Sequence, residues 1–287
     1  LFENMLLHKH KRWGHSEMRL AFIIISLLFT FQLSGQNRQA DGEFKETYPN
    51  GQLKSHGFYK RGKADSTWTF YFEDGKIFKT GNYKDCIYDL GYIKIELLGI
   101  ERHERGIENG TWKIYHPNGV LKTEYQSICG IKTGLIKAFN DKGHIKTESF
   151  YSNGELQFEK NFFDTGVVSK YSTFNYYTIK DGNNYLKHFK TTVSVFYDTG
   201  ELKELYQEDN FEFQGEYKKF WKNGYLQYEA TYENGSEDGI VREFYDNGLK
   251  ESETEYKEGT KHGQSFLYSR EGKIIKKQTW DNGVLKE

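Results

Sequence analysis

The residues best suited to chemistry are few. His8, His10 and His15 stand close together near the start of the chain. Imidazoles are good ligands for zinc, copper or nickel, but a flexible leader supplies no geometry that would make them converge. Glu101, His103 and Glu104 form a second group. That combination suits a metal or a general acid–base pair, yet in a polar stretch it reads as a solvated charge cluster. Asn-Gly and Asp-Gly pairs imitate calcium loops, but the 12-residue ligand pattern with its terminal Glu is missing. There is no phosphate loop, no Gly-x-Ser-x-Gly elbow and no paired Cys-x-x-Cys. The reading is therefore of a protein that is not an enzyme, with no catalytic, cofactor-binding or metal-binding residue.

Behind these residues lies a repeat. Gly51, Gly75, Gly119, Gly143, Gly166, Gly200, Gly224, Gly248 and Gly272 mark nine copies, and 75−51, 143−119, 224−200, 248−224 and 272−248 all equal 24. A second glycine follows 11 residues later at Gly62, Gly130, Gly154, Gly235, Gly259 and Gly283. A turn residue every 12 or so positions leaves room for one strand and one turn, not for a capped helix. Asn50-Gly51, Asn118-Gly119, Asn153-Gly154 and Asn234-Gly235 suit tight hairpins with positive φ. The flanks are rich in Tyr, Phe, Trp, Ile and Thr, which suit a pleated surface. Both prolines, Pro49 and Pro117, fall in turns. The fold class is all-β: an elongated open antiparallel meander of about nine stacked β-hairpin repeats. About 18 strands at ~4.8 Å spacing would make a rod on the order of 80 Å.

Aromatic residues recur in phase, as at Tyr71, Tyr115, Phe139, Phe162, Phe196, Phe220, Phe244 and Tyr268. In stacked hairpins they become ladders. The ladders serve either as the core or, if one face is partly open, as a binding face. Lys and Glu alternate, as in Leu249-Lys250-Glu251-Ser252-Glu253-Thr254-Glu255, and mark a wet face.

The wording Tyr48-Pro49-Asn50-Gly51-Gln52-Leu53-Lys54, followed by Tyr59-Lys60-Arg61-Gly62 and Trp68, resembles the MORN repeat in its bacterial variant form. Tyr256-Lys257-Glu258-Gly259-Thr260-Lys261-His262-Gly263 repeats the second part. The resemblance spans residues 43–287. It implies consecutive antiparallel hairpins, and it extends to proteins labelled YwqK-type antitoxins. That label names no active residue. It adds an alternative function, an antitoxin or immunity-type inhibitor of a toxin.

The period breaks twice. Gly75 to Gly119 is 44 residues, so 20 are inserted near residues 86–105, and Gly166 to Gly200 is 34, so ten are inserted near residues 176–189. Each is either a longer hairpin or a loop with its own function. A surface that repeats every 24 residues offers a partner no single register. The candidate binding surface is therefore Ile87, Tyr88, Leu90, Tyr92 and Ile93 in the first insertion and Tyr176, Tyr177 and Tyr185 in the second.

Cys86 and Cys129 fall beside the second-glycine positions of neighbouring copies. Equivalent positions one hairpin apart lie roughly 9–10 Å from each other, beyond the ~7 Å that a disulfide tolerates. They can bond only if the insertion that starts at Cys86 draws them closer, so pairing stays open.

Residue 1 is Leu, and Met18-Arg19 makes a better start; Leu20 to Phe31 is then an apolar run ending in Gln32-Leu33-Ser34-Gly35-Gln36. That order fits a secretory signal within residues 1–36, too short for the ~20 apolar residues of a span. The expected location is secreted or periplasmic, with no stable membrane span after removal. Residues 1–36 hold four Lys/Arg and two Asp/Glu, so 36 positive and 39 negative charges remain. That balance excludes the basic footprint of a nucleic-acid binder. The expected function is a secreted, non-catalytic repeat protein that serves as a protein-binding or envelope-associated scaffold. Its partner is a protein or an envelope surface, not nucleic acid.

Overall fold

The computed structural model describes residues 40–86, 106–182 and 184–286. The leader and most of the first insertion lie outside them. Successive strands pair antiparallel throughout the described residues, except that the two short segments Ser236–Glu237 and Gly239–Phe244 both pair with Leu226–Glu233 rather than with each other. The first strands are β1 (Gly42–Thr47), β2 (Leu53–Lys60), β3 (Lys63–Tyr71), β4 (Ile77–Lys84), β5 (Ile107–Tyr115), β6 (Leu121–Ile128) and β7 (Ile131–Phe139). Next come β8 (Ile145–Ser152), β9 (Glu155–Phe162), β10 (Val168–Asp181), β11 (Asn184–Phe196), β12 (Leu202–Asp209) and β13 (Glu212–Phe220). The array closes with β14 (Leu226–Glu233), β15 (Ser236–Glu237), β16 (Gly239–Phe244), β17 (Lys250–Lys257), β18 (Thr260–Tyr268), β19 (Ile274–Asp281) and β20 (Val284–Leu285). Among the described residues twenty strands form rather than about 18, because Asp238 divides one strand into β15 and β16 and β20 is added.

Turns alternate between the two edges of the sheet. On the first edge each turn spans three residues. The Gly51 N–H donates to the Tyr48 carbonyl at 2.9 Å, the Tyr48 N–H donates to the Gln52 carbonyl at 2.8 Å, and Gly51 has φ +84°. This is a type I turn closed by a glycine bulge. On the second edge both central residues have positive φ, as in Asn153 (51°) and Gly154 (81°), which makes a two-residue type I′ turn. The Asn-Gly pairs alike in sequence therefore build two different turns.

Hydrogen bonds also run from copy to copy along the first edge. The side-chain amides of Asn50, Asn118, Asn223 and Asn247 donate to the carbonyls of Glu73, Asp141, Asp246 and Arg270, at 3.3, 2.7, 2.6 and 3.0 Å. Tyr48, Tyr197 and Tyr245 donate their hydroxyls to Tyr71, Phe220 and Tyr268 carbonyls, at 2.7, 2.9 and 2.8 Å. Each bond joins residues 23 apart, so it ties one repeat to the next. In the copies that carry them, these ties favour Asn at the turn position and an aromatic with a polar tip ahead of the turn.

The two faces differ. On one, Lys113, Glu124, Lys137, Glu148 and Lys160 oppose one another on successive strands. Lys218, Glu229, Arg242 and Glu253 do the same farther on. Opposite charges directly across a strand pair stabilise modestly, by roughly 0.2–1 kcal/mol each. The other face carries the core, and its central row falls seven residues before each turn glycine. It runs through Phe44, Trp68, Trp112, Ile136, Glu159, Val193, Tyr217, Val241 and Ser265. Trp68, Trp112, Val193, Tyr217 and Val241 in that row are all buried. Trp68 lies over Gly57 and Trp112 over Gly81. With no second layer among the described residues, burial comes from large side chains lying flat on small ones.

Candidate binding surface

Both insertions leave the sheet on the second edge. The chain leaves after β4 and returns at β5, with Lys84 paired to Ile107. Ile87, Tyr88, Leu90, Tyr92 and Ile93 lie outside the described residues. The base of that insertion is anchored by a Cys86–Cys129 disulfide, with Cα atoms 5.6 Å apart. The approach is closer than regular stacking would allow because no type I′ turn closes β4 onto β5. Cys86 is thereby released to sit against the β6–β7 turn, where it is fully buried.

The second insertion is a longer hairpin. β10 and β11 pair continuously from Lys170↔Val195 to Asp181↔Asn184. β9 meets β10 only as far as Thr173, and β12 meets β11 only as far as Lys190. Residues 174–189 therefore project past the edge. Strand alternation puts neighbours on opposite faces, so Tyr176 and Tyr177 do not share a patch. Tyr176 meets Phe189 at a tilt, ring centres 6.0 Å apart, and has the Lys187 ammonium 4.8 Å above its ring. Lys187 also pairs with Glu155. Tyr177 donates to the Asp209 carboxylate and lies against His188. Tyr185 sits near the tip, 71% exposed, while Ile179 and Leu186 pair across the hairpin and are both exposed.

Phe211 belongs to this surface although the repeat reading passed over it. It occupies the type I′ turn between β12 and β13 with φ +71°, is 79% exposed, and meets Phe189 edge-on at 5.0 Å. A bulky residue with positive φ is an outlier and costs stability. The signal was present in the sequence, since 200+11 is 211, where six sister copies carry glycine.

Tyrosines dominate the titration chemistry. Burial, then the charge of Glu108, pushes the Tyr83 phenol up to about 12. Burial also raises Tyr125 and Tyr217, reinforced by hydrogen bonds to Glu108 at 2.7 Å and Glu204 at 3.0 Å. A raised folded-state value favours the protonated form, so stability is intact below the unfolded value of about 10 and is lost as pH rises above it. Tyr125 and Tyr217, both under 10% exposed, should each steepen that loss by about 1.4 kcal/mol per pH unit. Denaturant titrations at pH 9, 10 and 11 should show it, and Tyr217→Phe should flatten the slope. An unchanged slope in Tyr217→Phe would contradict the assignment.

Among the described residues no three His, Cys, Asp or Glu side chains group closely enough to hold a metal ion. No helix among them is long and apolar enough to cross a membrane.

Nine stacked hairpins in one open sheet define a β-repeat array. Comparison with known families agrees: the family described as MORN repeat variant matches residues 40–61, 64–85, 108–127, 143–164, 213–234 and 237–258. Five of these segments centre on a first-edge turn, and the 143–164 match centres on Asn153-Gly154 of the second edge. No curated protein matches the chain. Among solved structures, "Crystal Structure of TcdB2-TccC3" aligns at 10% identity with a TM-score of 0.18, over 87% of this chain and 16% of that one.

Proposed function

We propose that the chain is a non-catalytic scaffold, exported from the cell, that offers the second edge of its sheet to a protein partner. The observation that carries this reading is that both breaks in the period emerge on that same edge. Everywhere else the array presents ladders repeated from strand to strand, which cannot select one register. The projecting hairpin adds exposed Tyr185, Leu186 and Ile179, with Phe211 beside its base. Aromatic residues that are exposed on a rigid element make good interface anchors, because they gain contact area at little entropic cost. Export rests on the apolar run Leu20–Phe31 and its small-residue exit.

The test is a trimmed chain. Replacing residues 176–189 with Ser-Asn-Gly-Glu, the sequence that joins β8 to β9, removes ten residues and restores the regular period. The trimmed protein should fold, and the partner recovered from the native envelope fraction by the full chain should no longer be retained. Equal retention would show that the partner reads the repeating faces. Mass spectrometry of the mature protein should place its first residue at about position 36; a form that keeps Phe31 would end the export reading.

A further inference from the structure

We propose that Asn153-Gly154 is a self-modifying site, where the asparagine side chain is converted to aspartate and isoaspartate with water as the co-reactant. The inference does not rest on the scaffold reading and needs no partner.

The chemistry is intramolecular, which removes the cost of bringing two reactants together. The Gly154 backbone nitrogen attacks Cγ of Asn153 and gives up its proton. Ammonia leaves, and a cyclic imide remains. Water then opens the ring at either carbonyl. One opening leaves aspartate at position 153, and the other routes the backbone through the side-chain carboxyl as isoaspartate. In sum, an amide and water become a carboxylate and ammonium, with no change of oxidation state.

Every Asn-Gly pair has the wording for this reaction, because glycine carries no Cβ to hinder the attack. The pairs differ in how many hydrogen bonds hold the reacting atoms. On the first edge the side-chain amide of Asn50 donates to the Glu73 carbonyl at 3.3 Å, and its Oδ1 accepts the Gln52 N–H at 2.9 Å. The Gly51 N–H donates to the Tyr48 carbonyl at 2.9 Å. Asn118, Asn223 and Asn247 repeat all three bonds. Asn109 lies within β5, where its Oδ1 accepts the Cys129 N–H at 3.3 Å.

The second edge holds its asparagines less firmly. Asn153, Asn234 and Asn282 are exposed in type I′ turns with φ 51°, 50° and 48°, and their side chains form no hydrogen bond among the described residues. Asn234 and Asn282 are still restrained at the nucleophile. The Gly235 and Gly283 N–H groups donate to the Phe213 and Lys261 carbonyls, at 3.0 and 2.9 Å. The Gly154 N–H makes no bond of this kind among the described residues. Leaving group, electrophile and nucleophile are therefore all unrestrained at Asn153-Gly154. Turn tips also open locally at low free energy, which lets the nitrogen reach Cγ.

The product changes the edge. Isoaspartate lengthens the backbone, and a two-residue type I′ turn has no room for the extra atom. The Ser152↔Glu155 pairing beside the turn should open. Glu155 pairs with Lys187 of the projecting hairpin, so the contact between the two hairpins should loosen as well.

The full folded chain should be incubated in mildly alkaline buffer at body temperature, beside a urea-unfolded sample. Peptide mapping by mass spectrometry reads aspartate and isoaspartate at each position. Each hydrogen bond that must break first should slow the reaction about fivefold. Asn153 should therefore react about fivefold faster than Asn234 and Asn282, and on the order of a hundredfold faster than Asn50, Asn118, Asn223 and Asn247. In urea the differences should collapse, because the pairs share one wording. Asn153→Asp should remove the fastest phase of ammonia release from the folded chain and leave Tm near wild type, since aspartate tolerates the same turn. The inference is overturned if Asn153 stays intact in the folded chain, if Asn234 or Asn282 reacts as fast, or if the first-edge sites do.

Discussion

Replacing Gly81 with alanine is expected to cost about 3–5 kcal/mol, the range seen when a buried tryptophan is lost. A Cβ at Gly81 would lie 2.1 Å from Trp112 Cδ2, far inside contact distance. Trp112 is completely buried, with the Lys79 ammonium 4.3 Å over its ring, so the indole has nowhere to move without leaving the core. Trp112→Ala should cost a similar amount. The double variant should cost little more than either alone, because both changes remove the same contact. Chemical denaturation of the three proteins measures this cycle. Additive losses would show that Gly81 serves some other purpose. Hydrogen exchange should locate the damage: in a one-dimensional array, energies act between neighbours. Protection should fall in β3 to β6 and persist in β17 to β19.

Removing the disulfide comes next in size. Cys86 and Cys129 are 43 residues apart. Closing a loop of that length restricts the unfolded chain by about 4 kcal/mol in the chain-entropy account. Cys129 occupies the first position of a type I′ turn with φ +51°, where other copies place Asn153, Asn234 and Asn282. A Cys86→Ala, Cys129→Asn variant therefore keeps suitable turn chemistry and isolates the effect of the cross-link. Its unfolding midpoint should drop, with the loss concentrated in β4 to β7. Reduced and oxidised wild type should differ by a similar amount. Identical midpoints with and without reductant would mean that the bond does not restrict the unfolded chain.

The long hairpin illustrates a limit of pattern reading. Ten extra residues near Tyr176 were visible as a break in the period. Their form was open, since a longer ladder and a separate loop have the same length. Continuous pairing from Lys170 to Asp181 resolves it. It also separates Tyr176 from Tyr177, because alternation in a strand sends adjacent side chains to opposite faces. Phe211 was legible too, as the missing glycine of its series, but its contact with Phe189 joins residues 22 positions apart on different hairpins.

Local wording was sufficient for the class of fold. Turn glycines at a period of 24, Asn before them and aromatics in phase are instructions that each repeat carries within itself, and identical hairpins stack in only one sensible way. What only the tertiary structure decided lies between the copies: which Asn-Gly pair forms which turn, the 5.6 Å approach of Cys86 to Cys129, and the contact of Phe211 with Phe189. The reason is physical. A hairpin is set by sterics over a few bonds, whereas these features depend on how strands from different copies are aligned, and strand register emerges only when the whole sheet is assembled.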